Sequence, residues 1–192
     1  MSGPARGEEA KRLNLALHVY GGGGAPPGER GQPRLLLDLD RCTAGACGEC
    51  RVECDFFYHP GNQGVLLLRE LATYQVVCRR CEHPHCVEAC PTGALEQGED
   101  RVLVRHLNLC VACRSCSHAC PYGTIFPDLL SYHAANCDLC AGRTNGREPL
   151  CVRSCPEGAL MLPPEDWRED EKIVAVGDLL LVRSRHWRRE KA

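Results

Sequence analysis

The sequence carries sixteen cysteines in 192 residues, and every one of them belongs to one of four groups of four. Thiolates are soft ligands for zinc and for iron–sulfur clusters, and clustered cysteines in a reducing compartment more often hold metal than form disulfides. The predicted chemistry is therefore metal binding through sulfur. The spacing within the groups then discriminates between the metals.

The four groups share one spacing pattern, and the third matches the bacterial ferredoxin run in full. It reads Cys110-x2-Cys113-x2-Cys116-x3-Cys120-Pro121. The others are Cys42-x4-Cys47-x2-Cys50-x3-Cys54, Cys78-x2-Cys81-x4-Cys86-x3-Cys90-Pro91 and Cys137-x2-Cys140-x10-Cys151-x3-Cys155-Pro156. Three closely spaced cysteines on a tight loop can direct their thiolates at one inorganic cube. The last cysteine of a ferredoxin run instead ligates the other cluster of a pair.

Three of the groups end in near-identical hexapeptides, which indicates internal duplication. These are Cys-Pro-Thr-Gly-Ala-Leu at 90–95, Cys-Pro-Tyr-Gly-Thr-Ile at 120–125 and Cys-Pro-Glu-Gly-Ala-Leu at 155–160. The proline after the cysteine stops a helix. The glycine fits a tight turn in which a side chain is predicted to crowd the cluster or the backbone.

Two other uses of the cysteines are open on composition alone. Four zinc sites need the same residue type, but zinc ribbons show paired Cys-x2-Cys knuckles rather than four-cysteine runs that end in Cys-Pro. A disulfide scaffold requires export, and the N-terminal residues show no apolar or twin-arginine leader. The spacing favours iron–sulfur clusters over both, and the leader-free N-terminus predicts a cytoplasmic protein.

Composition and charge exclude several other classes of protein. No apolar run is long enough for a membrane-spanning helix. The net charge of −2 lacks the excess of positive charge that nucleic-acid binding requires. With two Trp, five Tyr and three Phe, the chain has little aromatic material for a core. We find no paired acid and base and no activated nucleophile, and so predict no catalytic residue.

The elements that must position the cysteines are short. Arg34 to Leu39 and Val102 to Leu107 are predicted strands that lead into cysteine loops. Gly21 to Gly24 reads as a loop, because it lacks the Lys-Ser/Thr of a phosphate-binding motif. The segment Ile173 to Val182 predicts a strand or a partner-docking element. Arginines follow it at positions 183, 185, 188 and 189, where a solvated tail or an acidic partner is expected.

These motifs resemble those of the four-cluster, ferredoxin-like iron–sulfur subunits of molybdenum or tungsten oxidoreductases, hydrogenases and carbon monoxide dehydrogenases. The matching stretch runs from about Leu35 to Leu162 and includes the x4 and x10 gaps of the second and fourth groups. The resemblance implies an α+β fold of two nested bacterial-ferredoxin-like modules with short strands and helices around four [4Fe–4S] clusters. The inner module would span 73–126 and the outer module 34–72 with 127–165. An N-terminal segment, 1–33, and a docking or flexible tail, 166–192, would flank them.

The same resemblance implies which cysteines share a cluster. Cluster 1 would take Cys42, Cys47, Cys50 and Cys155, and cluster 2 would take Cys54, Cys137, Cys140 and Cys151. Cluster 3 would take Cys78, Cys81, Cys86 and Cys120, and cluster 4 would take Cys90, Cys110, Cys113 and Cys116. The first group departs from the family pattern, with x4 in place of x2 and Asp55 in place of proline, which predicts an enlarged loop at cluster 1.

Several charged or polar residues lie beside the predicted ligands. His83, His85 and His118 are expected at the surface or close to a cluster without ligating it, because each group already holds four cysteines. Arg79, Arg80 and Arg114 adjoin ligands, where a fixed positive charge would raise a cluster's potential unless each is an ordinary surface ion pair.

The sequence therefore predicts an electron-transfer subunit that passes single electrons between a catalytic subunit and another redox carrier. The catalytic subunit is favoured to be a molybdenum or tungsten enzyme, such as an aldehyde or formate oxidoreductase. A free polyferredoxin, or the corresponding subunit of a hydrogenase or carbon monoxide dehydrogenase, is the alternative. A cluster-bearing reductase that acts alone is a third. Export on a signal-bearing partner is compatible with the family.

Overall fold

The structure is a computed structural model that describes residues 35–44, 52–54, 61–132, 135, 137–140, 144–145, 147–164, 172–176 and 179–184. They fall into two compact units. The unit within Arg69–Ala135 is called the hairpin unit. The unit built from Ala25–Leu68 and Asn136–Ala192 is called the sheet unit.

The elements are short, as the sequence predicts. The helices are α1 (Leu39–Ala44), α2 (Gly64–Ala72), α3 (His85–Glu88), α4 (Ser115–Ala119) and α5 (Leu150–Ser154). The strands are β1 (Leu35–Asp38), β2 (Leu95–Gln97), β3 (Leu103–Arg105), β4 (Leu160–Met161), β5 (Ile173–Val176) and β6 (Leu180–Arg183). A π-helical turn, Thr73–Val77, continues α2, and a 3-10 turn covers Pro127–Leu129.

A four-stranded sheet in the order β4-β1-β6-β5 forms the sheet unit. Strand β1 lies antiparallel to β4, with Leu36 opposite Met161, and parallel to β6, with Leu36 opposite Leu181. Strands β5 and β6 are antiparallel. All four residues of β1 are buried, and Leu180, Leu181 and Val182 of β6 are buried beside it, so these two leucine-rich strands form the centre of this core.

The end of β1 is joined to helix α1 by a buried carboxylate. Asp38 Oδ1 accepts hydrogen bonds from the backbone N–H groups of Asp40 (3.1 Å) and Arg41 (3.2 Å), as an N-cap residue does. Its other oxygen, Oδ2, accepts a hydrogen bond from Arg183 Nη2 at 2.6 Å. Burial raises the pKa of Asp38, but the bonds from Arg183 and Arg41 outweigh it and lower the pKa below 3.8. Arg183, predicted as part of a tail, therefore has a structural role in the sheet.

Replacement of Asp38 by asparagine is expected to destabilise the iron-loaded protein by about 1–3 kcal/mol, because hydrogen bonds to a charged group are lost. Since the pKa in the folded chain is lowered, the contribution of the carboxylate is complete above its ordinary value of 3.8 and is lost only as pH falls through the lowered value. Thermal unfolding at pH 5, 6, 7 and 8 should give a constant difference from the wild type. A difference that shrinks between pH 7 and 5 would contradict the lowered pKa of Asp38. Asp128→Asn is the control: it breaks an exposed ion pair with Arg69 and should lower the free energy of unfolding by less than about 1 kcal/mol.

The hairpin unit has a small core in which cysteines take the place of larger side chains. Strands β2 and β3 pair antiparallel, with Glu96 opposite Val104. The buried residues are Tyr74, Cys86, Leu95, Leu103, Ile125 and Leu130. Four more cysteines pack against them, half-buried, at positions 78, 90, 116 and 120. Five cysteine side chains therefore contribute to the folding of this unit.

The mixture of helices and strands confirms the predicted α+β class. Strands are found at Leu35–Asp38 and Leu103–Arg105, within the two predicted strand segments. The segment from Ile173 holds two strands, β5 and β6, so that over these residues the chain is part of the sheet. Among the described residues no helix is both long and apolar enough to span a membrane. The predicted loop at Gly21–Gly24 and the arginines at 185, 188 and 189 lie outside the described residues.

Candidate metal centres

Three short helices each carry the third cysteine of a group and stop just before the fourth. Helix α3 holds Cys86, α4 holds Cys116 and α5 holds Cys151. Proline precedes α3 and α5, at positions 84 and 149, which suits a residue at a helix start whose N–H needs no partner. The x3 spacing at the end of each run is thus one turn of helix, which separates the fourth cysteine from the other three.

The repeated Cys-Pro-x-Gly turn directs backbone N–H groups at the fourth sulfur. The N–H of Ala94 donates to Cys90 Sγ (3.2 Å), and the N–H of Ala159 donates to Cys155 Sγ (3.3 Å). In each turn the glycine N–H closes back on the cysteine carbonyl, for example Gly93 on Cys90 O at 3.2 Å. The glycines have positive φ, +62° at positions 93 and 123 and +56° at 158. A Cβ at Gly93 or Gly123 would meet no protein atom within 4 Å, so backbone conformation and not crowding by the protein explains glycine there.

Gly93→Ala is expected to destabilise the iron-loaded protein by about 1–2 kcal/mol, because alanine is strained in the left-handed region. Gly93→Asn should cost less, since asparagine tolerates that region. The measurement is thermal unfolding, with the rate of iron release followed in parallel. Equal effects of Ala and Asn would point to crowding by the bound group instead of to backbone strain.

The Cys-x2-Cys loops share a second backbone feature. The residue before the second cysteine has positive φ in three groups although none is glycine: Arg80 (52°), Ala112 (53°) and Leu139 (54°). Such conformations cost about 1–3 kcal/mol each and persist only where their surroundings impose them. Their recurrence at equivalent positions shows that the three loops share one local backbone shape.

In the hairpin unit, four cysteines from two different groups line one cavity. They are Cys78, Cys81 and Cys86 of the second group and Cys120 of the third. Burial, and then repulsion by Cys120 and Cys78, raises the pKa of Cys86 to about 11. The pKa of Cys120 is lowered: burial raises it, but hydrogen bonds from the Thr124 backbone and side chain outweigh that effect.

The sheet unit contains a cavity of the same kind. Cys54 of the first group lines it together with Cys137, Cys140 and Cys151 of the fourth. Burial, followed by repulsion from Cys137, Cys54 and Cys140, raises the pKa of Cys151 to about 12. Leu35, Val65 and Leu68 supply apolar walls, which exclude water from the sulfur atoms.

A third set of cysteines interacts in the hairpin unit. Burial, together with repulsion by the thiolates of Cys90, Cys110 and Cys113, raises the pKa of Cys116 to about 11 and outweighs the lowering effect of the Ser117 N–H bond. These residues again combine the fourth cysteine of one group with the first three of the next. Cys113 is exposed, and Ser115 lowers its pKa through a side-chain hydrogen bond.

The fourth set is described only in part, because Cys47 and Cys50 lie outside the described residues. Arg41, which precedes Cys42, donates from Nη1 to the Gly158 carbonyl (3.3 Å) in the turn that follows Cys155. The two described cysteines of this set are thus on segments in direct contact.

The donor sets fit iron–sulfur clusters. Burial and mutual repulsion disfavour four thiolates in one cavity, and the iron ions of a cluster supply the compensating positive charge. N–H groups aimed at the fourth sulfur fit a thiolate acceptor. Among the described residues no group of three or more Cys, His, Asp or Glu side chains is arranged closely enough to hold a single metal ion.

The neighbouring residues also have defined places. His83 and His85 line the cavity of Cys78, as does Arg79, whose Cζ lies 5.6 Å from the centroid of the exposed Tyr122 ring. Arg80 Nη2 donates to the Gln75 carbonyl at 3.0 Å. His118 lies in α4, and Arg114 precedes that helix with φ 64°.

One charged pair was not predicted from the sequence. Glu70 and Arg105 are both buried in the hairpin unit and form a two-point ion pair. The alternation of β3 could have revealed it, because Leu103 and Arg105 share the buried face while Val104 between them is half-exposed.

Short helices and strands that carry cysteine runs define a class of protein: the ferredoxin-like iron–sulfur electron-transfer proteins. The family model described as a 4Fe-4S dicluster domain matches residues 70–164. The chain belongs to this family of iron–sulfur electron-transfer subunits, and it is a non-catalytic member of an oxidoreductase system.

Curated relatives cover most of the chain. It is 32% identical over 162 residues to a probable anaerobic dimethyl sulfoxide reductase chain of Escherichia coli (strain K12), with 73% of this chain and 78% of the relative covered. It is 37% identical over 155 residues to an anaerobic dimethyl sulfoxide reductase chain of Haemophilus influenzae, with 69% and 74% covered. A tetrathionate reductase subunit of Salmonella typhimurium is 32% identical over 158 residues, with 72% and 62% covered.

Proposed function

We propose that the chain carries four [4Fe–4S] clusters and relays single electrons between a catalytic oxidoreductase subunit and a second redox carrier. The observation that carries the proposal is the crossed grouping of the cysteines, in which the last cysteine of one group joins three of another. This arrangement is typical of paired clusters in ferredoxins.

The proposed ligand sets follow this grouping. Cys42, Cys47, Cys50 and Cys155 bind one cluster, and Cys54, Cys137, Cys140 and Cys151 bind its neighbour. Cys78, Cys81, Cys86 and Cys120 bind a third, and Cys90, Cys110, Cys113 and Cys116 bind a fourth. The two lined cavities and the mutual repulsion around Cys116 support three of these sets.

The nested modules are also part of the proposal, with 73–126 inside a second module of 34–72 and 127–165. The compact hairpin unit within Arg69–Ala135 supports this organisation, because it contains two complete proposed sets, while the sheet unit contains one complete set and the described part of another.

A bound [4Fe–4S] cluster supplies a site that gains and loses one electron. The chain itself holds the cluster by thiolates, keeps water from it with apolar walls, and donates N–H groups to ligand sulfurs such as Cys90. Around Cys113 the hairpin unit is exposed, and the adjoining Val111 side chain is 52% exposed, so a redox partner can approach this site closely.

The catalytic partner is proposed to be a molybdenum or tungsten oxidoreductase. The names of the relatives, dimethyl sulfoxide reductase and tetrathionate reductase, favour a reductase of an oxidised sulfur compound over the aldehyde or formate oxidoreductase expected from sequence. Cytoplasmic localisation stays a prediction.

Anaerobic purification of the native complex tests the proposal. Co-purifying chains are identified by mass spectrometry, and iron, molybdenum, tungsten, nickel and zinc are counted on the same sample. About sixteen irons per chain beyond the partner's own metals are expected, together with a stoichiometric large subunit. Sixteen irons without a partner would favour a free polyferredoxin, and zinc in place of iron would overturn the proposal.

A further inference from the structure

A buried ion pair in the hairpin unit leaves one guanidinium nitrogen without a hydrogen-bond partner among the described residues. Arg105 Nε lies 2.6 Å from Glu70 Oε1, and Arg105 Nη2 lies 2.5 Å from Glu70 Oε2. The two side chains are 3% and 4% exposed. An ion pair this deeply buried is costly to desolvate, and it persists only when its remaining donors also find partners.

The remaining donor is Arg105 Nη1. It is buried and has no hydrogen-bond partner among the described residues. A guanidinium has five N–H donors and is never deprotonated in proteins, so the two bonds to Glu70 leave this end of a permanent cation unengaged. A buried cationic donor without a partner among the described residues points to an acceptor in the group that the neighbouring thiolates hold.

The side of the unit that this guanidinium faces is identified by its electrostatic neighbours. Burial lowers the pKa of Arg105, but the hydrogen bonds and charge of Glu70, and after them the hydrogen bond and charge of the Cys110 thiolate, outweigh burial and raise the pKa. Tyr74 belongs to the same buried group: burial, and then the Glu70 carboxylate, raise the pKa of its hydroxyl, to which the Cys116 thiolate also contributes. Arg105 therefore lies beside the third cysteine group.

We propose that Arg105 donates from Nη1 to a sulfur of the metal centre that Cys90, Cys110, Cys113 and Cys116 hold, and that its charge raises the reduction potential of that centre. This inference rests on the proposed function. On reduction the cluster takes up one electron from its redox donor and passes from 2+ to 1+, while Arg105 keeps its proton. A fixed cation stabilises the more negative, reduced state. Glu70 orients the guanidinium and partly offsets its charge.

Arg105 is in this view a positioning and tuning residue, and the quantity that tests its role is the reduction potential of the neighbouring cluster. The iron-loaded protein is titrated anaerobically with redox mediators, and the reduced clusters are followed by electron paramagnetic resonance. In Arg105→Gln the oxidised-to-reduced ratio of one cluster at fixed potential should rise about tenfold, which for a one-electron couple is a 59 mV lower potential. The other three clusters should not move. Glu70→Gln should shift the same cluster in the opposite direction.

Two further variants separate tuning from folding. Arg69→Gln is the matched control, because Arg69 adjoins Glu70 in α2 but pairs with the exposed Asp128 at 3.1 Å. It should leave all four potentials unchanged. The double variant Glu70→Gln/Arg105→Gln removes both charges without leaving one buried alone, and its potential should return towards the wild-type value.

The outcomes distinguish the two proposals. A wild-type protein without four clusters refutes the proposed function. Four clusters with no shift in Arg105→Gln, or an equal shift of all four, overturns the role of Arg105. If Arg105→Gln loses iron, Glu70→Gln decides: a rise in the potential of one cluster supports the inference, and no change overturns it.

Discussion

Cys86→Ser and Cys120→Ser are expected to abolish the same cluster, although the two residues lie in different cysteine groups. Both thiols line one cavity in the hairpin unit. Each variant should therefore lose about four of about sixteen irons and the same paramagnetic signal, since a [4Fe–4S] cluster requires its four thiolates. Iron analysis and electron paramagnetic resonance of the dithionite-reduced variants measure this. A three-iron cluster at that site, with the other three intact, would also identify the pair.

Cys90→Ser and Cys116→Ser form the matched comparison. Cys90 follows Cys86 by about one helical turn, yet its sulfur interacts with Cys116 of the third cysteine group. These two variants should lose a second cluster and spare the first. If Cys86→Ser and Cys90→Ser removed one and the same signal, each group would bind its own cluster and the crossed assignment would be wrong.

Anaerobic removal of iron is expected to unfold the hairpin unit. Its core contains one buried cysteine and four that pack against it at the positions named above. Bound clusters are therefore expected to stabilise this core, as larger apolar side chains do in other domains. Structural zinc binds zinc-finger peptides with about 10–16 kcal/mol, comparable to the whole stability of a domain, and bound clusters are expected to stabilise this unit in the same way. Chelation should abolish near-ultraviolet circular dichroism and open residues 69–135 to protease.

The sheet unit should resist longer, because β1 and β6 bury six aliphatic side chains in an independent core. Mass spectrometry of the fragments gives the order of cleavage. Protein treated with the same chelator already saturated with iron is the control. Persistence of the hairpin unit after complete iron loss would show that its core does not depend on the clusters.

The cysteine spacing was sufficient to predict the short helix before each Cys-Pro and the turn after it, because the repeat itself encodes a loop, one helical turn and a stop at proline. The crossed ligand sets came from the resemblance to the family and remain a proposal. The spacing could not predict the left-handed backbone at Arg80 and Leu139, since nothing in those side chains favours positive φ. At these two positions the backbone conformation is set by the shape of the cysteine loop and not by the conformational preference of the residue.

Pairings between distant segments were also beyond the sequence. Asp38 and Arg183 meet although 145 positions separate them, and the run of C-terminal arginines gave no means of predicting that Arg183 is ion-paired. The burial of Arg105 could have been predicted, because it occupies the same face of β3 as the buried Leu103. Its partner Glu70 lies in a helix whose orientation the local pattern does not reveal.

The topology of the sheet has a consequence for the order of synthesis. Both neighbours of β1, namely β4 and β6, are made more than a hundred residues after it. The hairpin unit leaves the ribosome complete while β1 still awaits both of these strands. In the proposed ligand sets, the first cysteine group also awaits the cysteines of the fourth group. During that part of translation these early thiols have no complete set of proposed ligands. Cells that make this chain in the presence of oxygen should therefore damage the first cysteine group before any other.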